Sequence, residues 1–155
     1  MNYWLFKSEP DAFSFQDLKD RPGRREPWSG VRSYQARNYM RDDMRVGDAA
    51  LFYHSSCPEP GVAGAMIVAS EPYADPTQFD PKSEYFDPKA TREKPTWQLV
   101  DVEWAKDFKK LVSLESLRGE PALAEMMILR KGNRLSITPV TAAEYKLICK
   151  LGGAK

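Results

Sequence analysis

The rhythm of hydrophobic and polar positions changes several times along the chain, and each change marks a predicted element. Residues 2–7, NYWLFK, form an aromatic and apolar run, so a strand is predicted first. Ser8-Glu9-Pro10-Asp11 breaks it. Ser14 with Asp17 reads as a capping box, in which each side chain satisfies the other's orphan amide, opening a short helix over 15–20. Residues 21–27, with two prolines and one glycine, read as a polar loop. Ser33 is placed to cap a helix over YQARNYMRDDM at 34–44. Its apolar positions, Tyr34, Ala36, Tyr39, Met40 and Met44, fit a helical stripe only loosely. Val46-Gly47-Asp48 then turns the chain into a strand, AALFYHS at 49–55. CPEPG leads from there into a second strand, VAGAMIVAS at 62–70, so the two predict a hairpin with a longer than minimal loop.

The stretch from Glu71 to Pro95 is rich in proline and aspartate and is the longest irregular segment. A loop of that length in a compact domain usually serves function or acts as a lid. TWQLVDVEWA at 96–105 alternates as a long strand does. Ser113 caps a short helix, LESLRG, and Pro121 opens another, ALAEM. RLSITPV at 134–140 predicts a last strand, and Thr141 with Glu144 boxes a helix over 142–151 that Gly152-Gly153 ends. The sum is about five to six strands and four short helices. Hairpin-joined strands predict an α+β domain with a strongly bent, mostly antiparallel sheet closing into a barrel. The 155 residues suit a single domain, 1–155.

Composition narrows the function classes. Hydrophobic residues at 42% and charged residues at 29% are the mixture of a soluble globular protein, and no apolar run is long enough to cross a membrane. The N-terminus lacks a basic segment followed by a long apolar one, so a cytoplasmic protein is expected. Two cysteines, Cys57 and Cys149, make no disulfide framework, and a single histidine, His54, leaves no metal site. The scattered glycines form no phosphate or dinucleotide loop, so no cofactor is expected. The net charge is +1, which excludes a strongly basic arm. Segregation of Arg32, Arg37, Arg41 and Arg45 and of Arg130, Lys131 and Arg134 from the acidic 75–87 stretch still allows one basic face.

Candidate chemistry is sparse. His54 precedes Ser55, Ser56 and Cys57, but neighbours on a strand point to opposite faces, so adjacency makes no triad. Lys7-Ser8-Glu9 ends the first strand, where side chains enter a barrel mouth. A desolvated lysine with a carboxylate can support amide hydrolysis, and the same residues can line a pocket rim without catalysis. Aromatics are the clear excess, with four Trp, seven Tyr and seven Phe. Trp4, Phe6, Phe13, Phe15, Phe52, Trp104 and Phe108 fit core positions. Trp28 instead sits in a loop before a helix, and Tyr53, Tyr85, Phe86 and Trp97 fall at strand ends or in the long loop. Loop aromatics offer rigid, flat contact area, and stacking on them contributes roughly 1–3 kcal/mol per nucleobase.

WLFKSEP at 4–10, PWSGVRSYQARNYMR at 27–41, VGDAALFYHS at 46–55, PGVAGAMIV at 60–68, YFDPK at 85–89, WQLVDVEW at 97–104 and RLSITPV at 134–140 together resemble the EVE domain, across nearly the whole chain. The resemblance implies a PUA-like pseudo-barrel close to the YTH domains, with no catalytic residue, no cofactor and no metal. It implies a partner in nucleic acid carrying a modified base, with modified cytosine in DNA the leading candidate. Lys7 and Ser8 match strand-end positions beside the pocket, and Trp28, Ser29 and Gly30 match an aromatic wall. Tyr34 and Asn38 match the helix closing the site. His54 and Ser55 match a second rim, with Pro60, Gly61 and Val62 opposite and Tyr85 and Phe86 completing the wall, and the strand-end aromatic Tyr53 is grouped with them in the pocket. Ser33 departs from the pattern, where asparagine is common, and reads as a cap. The base would be flipped from its stack into this cage, with Arg24, Arg32, Arg37 and Arg41 on phosphates. A PUA-like amidohydrolase using Lys7 and Glu9, or a reader of a modified RNA base, are the alternatives.

Overall fold

The computed structural model describes residues 1–154. The first strand, β1 (Tyr3–Ser8), is followed by α1 (Phe15–Asp20), β2 (Arg25–Pro27) and α2 (Tyr34–Asn38) before the hairpin of β3 (Ala49–His54) and β4 (Gly61–Val68). Two helices lie between β1 and β3, and such a crossover lets the two strands run parallel, Tyr3 beside Ala49 through Ser8 beside His54. β7 (Asp101–Ser113) is antiparallel to β4, and β8 (Ile137–Val140) is antiparallel to β1. The main sheet therefore has the order β2-β7-β4-β3-β1-β8. It is mixed rather than purely antiparallel, because of the β1–β3 pair. Bulges at Phe52/Tyr53, Val62/Gly64 and Ala65/Met66 increase its coiling. Its edge strands β2 and β8 are not paired to each other, so the barrel stays open as a curled half-barrel.

Strand alternation gives the sheet two apolar faces. Trp4, Phe6, Ala50, Phe52, Met66 and Val102 share one face with Phe15 and Leu18 of α1, with Ala36, Met40 and Met44, and with Trp28. Leu5, Leu51, Tyr53, Val62, Ala65 and Val112 share the other, covered by α3 (Leu114–Arg118), the 121–129 turns and α4 (Ala142–Leu151). The capping boxes at Ser14–Asp17 and Thr141–Glu144 both form.

Five local expectations are revised, the first being the polar loop at 21–27, which forms a 3-10 turn at Pro22–Arg24 and then β2 against β7. The 34–44 helix passes after Asn38 into one π-helical turn, Tyr39–Asp43. Positions four apart drift by about 40° around an α-helix. The wider turn takes up that drift, so Ala36, Met40 and Met44 all reach the core, which is why the stripe fitted loosely. The 71–95 stretch is not wholly irregular: β5 (Tyr73–Ala74) pairs with β6 (Gln98–Leu99), and Pro76–Phe79 makes a 3-10 turn. The strand read at 96–105 breaks at Val100 and then continues to Ser113. Pro121 opens only a 3-10 turn, Pro121–Leu123.

Candidate nucleic-acid interface

A cavity of about 800 Å³ opens where β1 ends, between the 27–33 segment and the loop that carries Tyr85. Its aromatic floor is Trp28, which follows directly on β2. The Trp28 N–H bonds the Val100 carbonyl at 2.9 Å, so the strand pairing extends into the site. Its ring packs edge-on against Phe6 at 5.1 Å, Phe52 at 5.5 Å and Phe13 at 6.1 Å between centroids. Trp28 is thus a core residue, 8% exposed, and not the free loop aromatic its sequence context suggested. Indole N–H groups of Trp4, Trp97 and Trp104 each donate to an aspartate. That of Trp28 makes no hydrogen bond to another described residue, although its ring lines the cavity.

One buried carboxylate sets the wall. Asp75 is fully buried and accepts from the Gly30 N–H at 2.8 Å, the Thr77 N–H at 2.8 Å, the Thr77 hydroxyl at 2.6 Å and Arg32 Nη1 at 3.1 Å. Burial pushes its pKa up, but the bonds from Thr77, Gly30 and Arg32 outweigh burial and hold the carboxyl below the usual range. Arg32 spends all its donors on the protein. Nε and Nη2 reach the Tyr85 carbonyl, Nη1 reaches the Val31 carbonyl and Asp75, and Nη2 also reaches Thr77 Oγ1. The Tyr85 ring lies so close to Gly30 that a Cβ there would come within 2.8 Å of it. Gly30 also holds φ +86°, so glycine is required twice over. The 28–32 segment and the Tyr85 loop are in this way locked together.

The rim is polar and mixed in charge. Ser8 Oγ donates to the Phe13 carbonyl at 2.6 Å, which leaves its lone pairs for a ligand. Lys7 is half-buried without a carboxylate partner among the described residues, and burial lowers its amine pKa. Arg21 pairs with Glu26 at 3.1 Å. Burial and then Glu84 raise the Tyr85 hydroxyl, and Glu9 and Glu84 both line the cavity.

Of the residues singled out from sequence, Lys7, Ser8, Glu9, Trp28, Ser29, Gly30, Arg32 and Tyr85 line this cavity. The others lie elsewhere. Tyr34 is 62% exposed and stacks on Trp97 at 5.0 Å, and Asn38 Oδ1 is taken by Arg37. Tyr53 and Val62 are buried in the opposite core, because alternation turns them away from Phe52. Pro60 and Gly61 sit where β4 meets Ser113–Leu114; the Pro60 carbonyl accepts from Leu114, and Gly61 lets the β7 backbone approach. His54 Nε2 accepts the Phe15 N–H at 3.1 Å, and burial lowers its pKa, so it is a neutral anchor for α1. The Ser55 N–H bonds the Ser8 carbonyl, which makes that residue part of the sheet end. Phe86 is exposed outside the lining.

The arginines assigned to phosphates are also occupied. Arg37 bonds the Thr96 carbonyl and Asn38, Arg41 grips Asp42 through two nitrogens, and Arg24 lies 4.6 Å over the Trp104 ring. Arg32 has no donor left. Sequence reasoning missed Phe13, Val31, Ser33, Glu84, Arg134 and Ser136 as lining residues. Phe13 had been placed in the core and Ser33 as a cap only. Arg134 and Ser136 enter through the pairing of β8 with β1, which no local pattern announces.

A curled α+β sheet with an aromatic-floored, polar-rimmed cavity is the architecture of a small binding module. Among the described residues no group of three or more His, Cys, Asp or Glu is placed to hold a metal, and no helix is long and apolar enough to cross a membrane. The chain belongs to the EVE domain family, whose model matches residues 2–151. It is 40% identical to thymocyte nuclear protein 1 of Danio rerio over 96% of this chain and 71% of that protein. It is 38% identical to the Homo sapiens protein of that name over 97% of this chain and 73% of that one. A hypothetical protein from Leishmania major superposes with a TM-score of 0.92 at 46% identity, over 99% of this chain and 95% of that one. The human THYN1 protein, solved in complex with 5-methylcytosine containing DNA, superposes with a TM-score of 0.91 at 38% identity, over 98% of each chain.

Proposed function

We propose that this protein binds DNA and reads a modified base, 5-methylcytosine foremost, by receiving it in the Trp28 cavity. The observation that carries the reading is the cavity itself: an aromatic floor whose indole N–H has no partner among the described residues, set in a fold shared with a relative solved on 5-methylcytosine DNA. Its volume of about 800 Å³ lies within the range of small-molecule sites and accommodates a nucleobase. Flipping a base costs a few kcal/mol, which stacking against the Tyr85 ring offsets at roughly 1–3 kcal/mol per base.

The rim chemistry favours cytosine. The exocyclic amine of cytosine is a donor, whereas thymine, which carries the same methyl group, presents an acceptor at that position. Glu9 and Glu84 in the cavity lining accept and cannot donate when ionised. The Trp28 N–H is available for the base's carbonyl. A site that pairs the amine rejects the analogue lacking it far more strongly than an apolar pocket senses one methyl group. Fluorescence anisotropy with oligonucleotides bearing 5-methylcytosine, cytosine or thymine at one position tests this. The expected order is 5-methylcytosine, then cytosine by a few-fold, then thymine, and an RNA arm reports the strand type. Equal affinity for the three bases would rule the reading out.

A further inference from the structure

The cations about the cavity fall into two groups once their hydrogen bonds are counted. Arg32, Arg37 and Arg41 are bound to carbonyls, Asn38, Asp75 and Asp42, and Arg21 is paired with Glu26. A phosphate reaching Arg32 must first break those bonds, whereas Arg37 and Arg41 lie outside the cavity lining and share their charge with Asn38 and Asp42. On the opposite side Arg134 lines the cavity, is exposed and makes no hydrogen bond or ion pair among the described residues. Lys131 precedes it, also exposed and without a partner there, in a segment from Met126 to Ala143 that contains no acidic residue. Lys7 adjoins them, since its N–H bonds the Ser136 carbonyl at 2.8 Å and its ammonium has no partner among the described residues. The lining cations without a partner among the described residues, Arg134 and Lys7, therefore lie at the β1–β8 end of the rim, and Glu84 lies beside Tyr85 at the other.

We propose a phosphate-binding track on the β8 side of the cavity, formed by Arg134, Lys131 and Lys7, that holds the DNA backbone while the flipped base points toward Tyr85. This rests on the base-reading proposal and adds to it the direction from which the strand arrives. Backbone contacts position a strand without reading its sequence, and each one releases counterions on binding. Removing one therefore weakens modified and plain DNA alike and flattens the dependence of affinity on salt.

The test is a salt titration of binding to a 5-methylcytosine oligonucleotide and its plain counterpart by the whole chain and by Arg134→Gln, Lys131→Gln, Lys7→Gln and Arg41→Gln. Arg134→Gln is expected to bind both oligonucleotides roughly 5- to 10-fold more weakly at low salt, with the log–log salt slope reduced by about one and the modified-to-plain ratio unchanged. Lys131→Gln and Lys7→Gln shift the slope in the same direction, and Arg41→Gln leaves it as it was. An unchanged slope in the first three variants, or a reduced one in Arg41→Gln, overturns the track. Salt slopes that respond as stated with no preference for the modified base strike the base reading and leave the track standing. Failure of the parent chain to bind either oligonucleotide overturns both.

Discussion

Two tryptophans and their aromatic neighbours stand on either side of the 28–38 segment, and they are built for different tasks. Trp97 is closed on itself. Its N–H and carbonyl are both bound by the Gln78 amide, its indole N–H donates to Asp87 at 2.8 Å, and Tyr34 stacks on its ring with Arg32 and Arg37 alongside. Trp28 has comparable burial, 8% against 6%, and its backbone is just as firmly held. Yet its indole N–H has no partner among the described residues, and the residue lines a cavity. Residue type and exposure do not separate the two. Hydrogen-bond accounting does: a site intended for a ligand leaves polar groups unsatisfied that a structural site completes.

The largest effect separating them is on stability. Trp28→Ala removes a ring wedged among Phe6, Phe13 and Phe52, and a lost core aromatic costs about 4 kcal/mol. Tyr34→Ala removes an exposed stacking partner and costs about 1 kcal/mol. Urea unfolding measures both. Tyr34→Ala leaves the preference for modified over plain DNA intact. Loss of that preference would move the reading site to the Trp97 side.

Asp75 joins the two regions. It bonds Gly30 and Arg32 on the Trp28 side, and its backbone N–H bonds the Trp97 carbonyl at 3.0 Å. Asp75→Asn leaves Arg32 without its buried counter-charge and is expected to cost about 3 kcal/mol. The native carboxyl titrates below its unfolded value of about 3.9, so the unfolded chain binds more protons as acidity rises. The stability it contributes is complete above that value and is lost as pH falls through the folded pKa. Urea midpoints measured down through pH 3 should therefore converge for the parent and Asp75→Asn. A constant gap at all pH values would mean that Asp75 acts through geometry alone.

Sequence reading recovered what periodicity and capping express: both capping boxes, the β3–β4 hairpin, the α4 boundaries and the aromatic excess. The resemblance carried the family and the segment around Trp28. What stayed hidden is set by pairings far apart in the chain. Nothing near Ser136 says that it borders Lys7, and nothing near Asp75 says that it holds Gly30. Element ends that look alike in sequence, such as Ser8 and Ser55, lie on neighbouring strands, whereas Tyr53 differs from Phe52 only in which face it meets. Arg32 and Arg37 look free for phosphate because their acceptors Thr96, Asp75 and the Tyr85 carbonyl come from distant segments, whereas Arg41 is paired with its neighbour Asp42.

The smallest change tests the comparison most directly. Trp28→Phe keeps an aromatic ring against Phe6 and Phe52 and deletes only the indole's second ring with its N–H. Losing that ring is a large-to-small core change that costs about 2 kcal/mol, half the expected cost of Trp28→Ala, so the variant should remain folded at room temperature with a lowered melting midpoint. If the unpaired donor serves the base's carbonyl, its loss removes one hydrogen bond of about 1 kcal/mol. Affinity for the 5-methylcytosine oligonucleotide then falls roughly five-fold, while non-specific binding to plain duplex, held by phosphates, stays as it was. The matching Trp97→Phe variant breaks the bond to Asp87 and should lower stability without touching the binding ratio. Two substitutions of the same kind would then give opposite signatures, one in affinity and one in folding. If instead Trp28→Phe lowered stability alone, the open N–H would be a vacancy in the packing and not a contact reserved for a base.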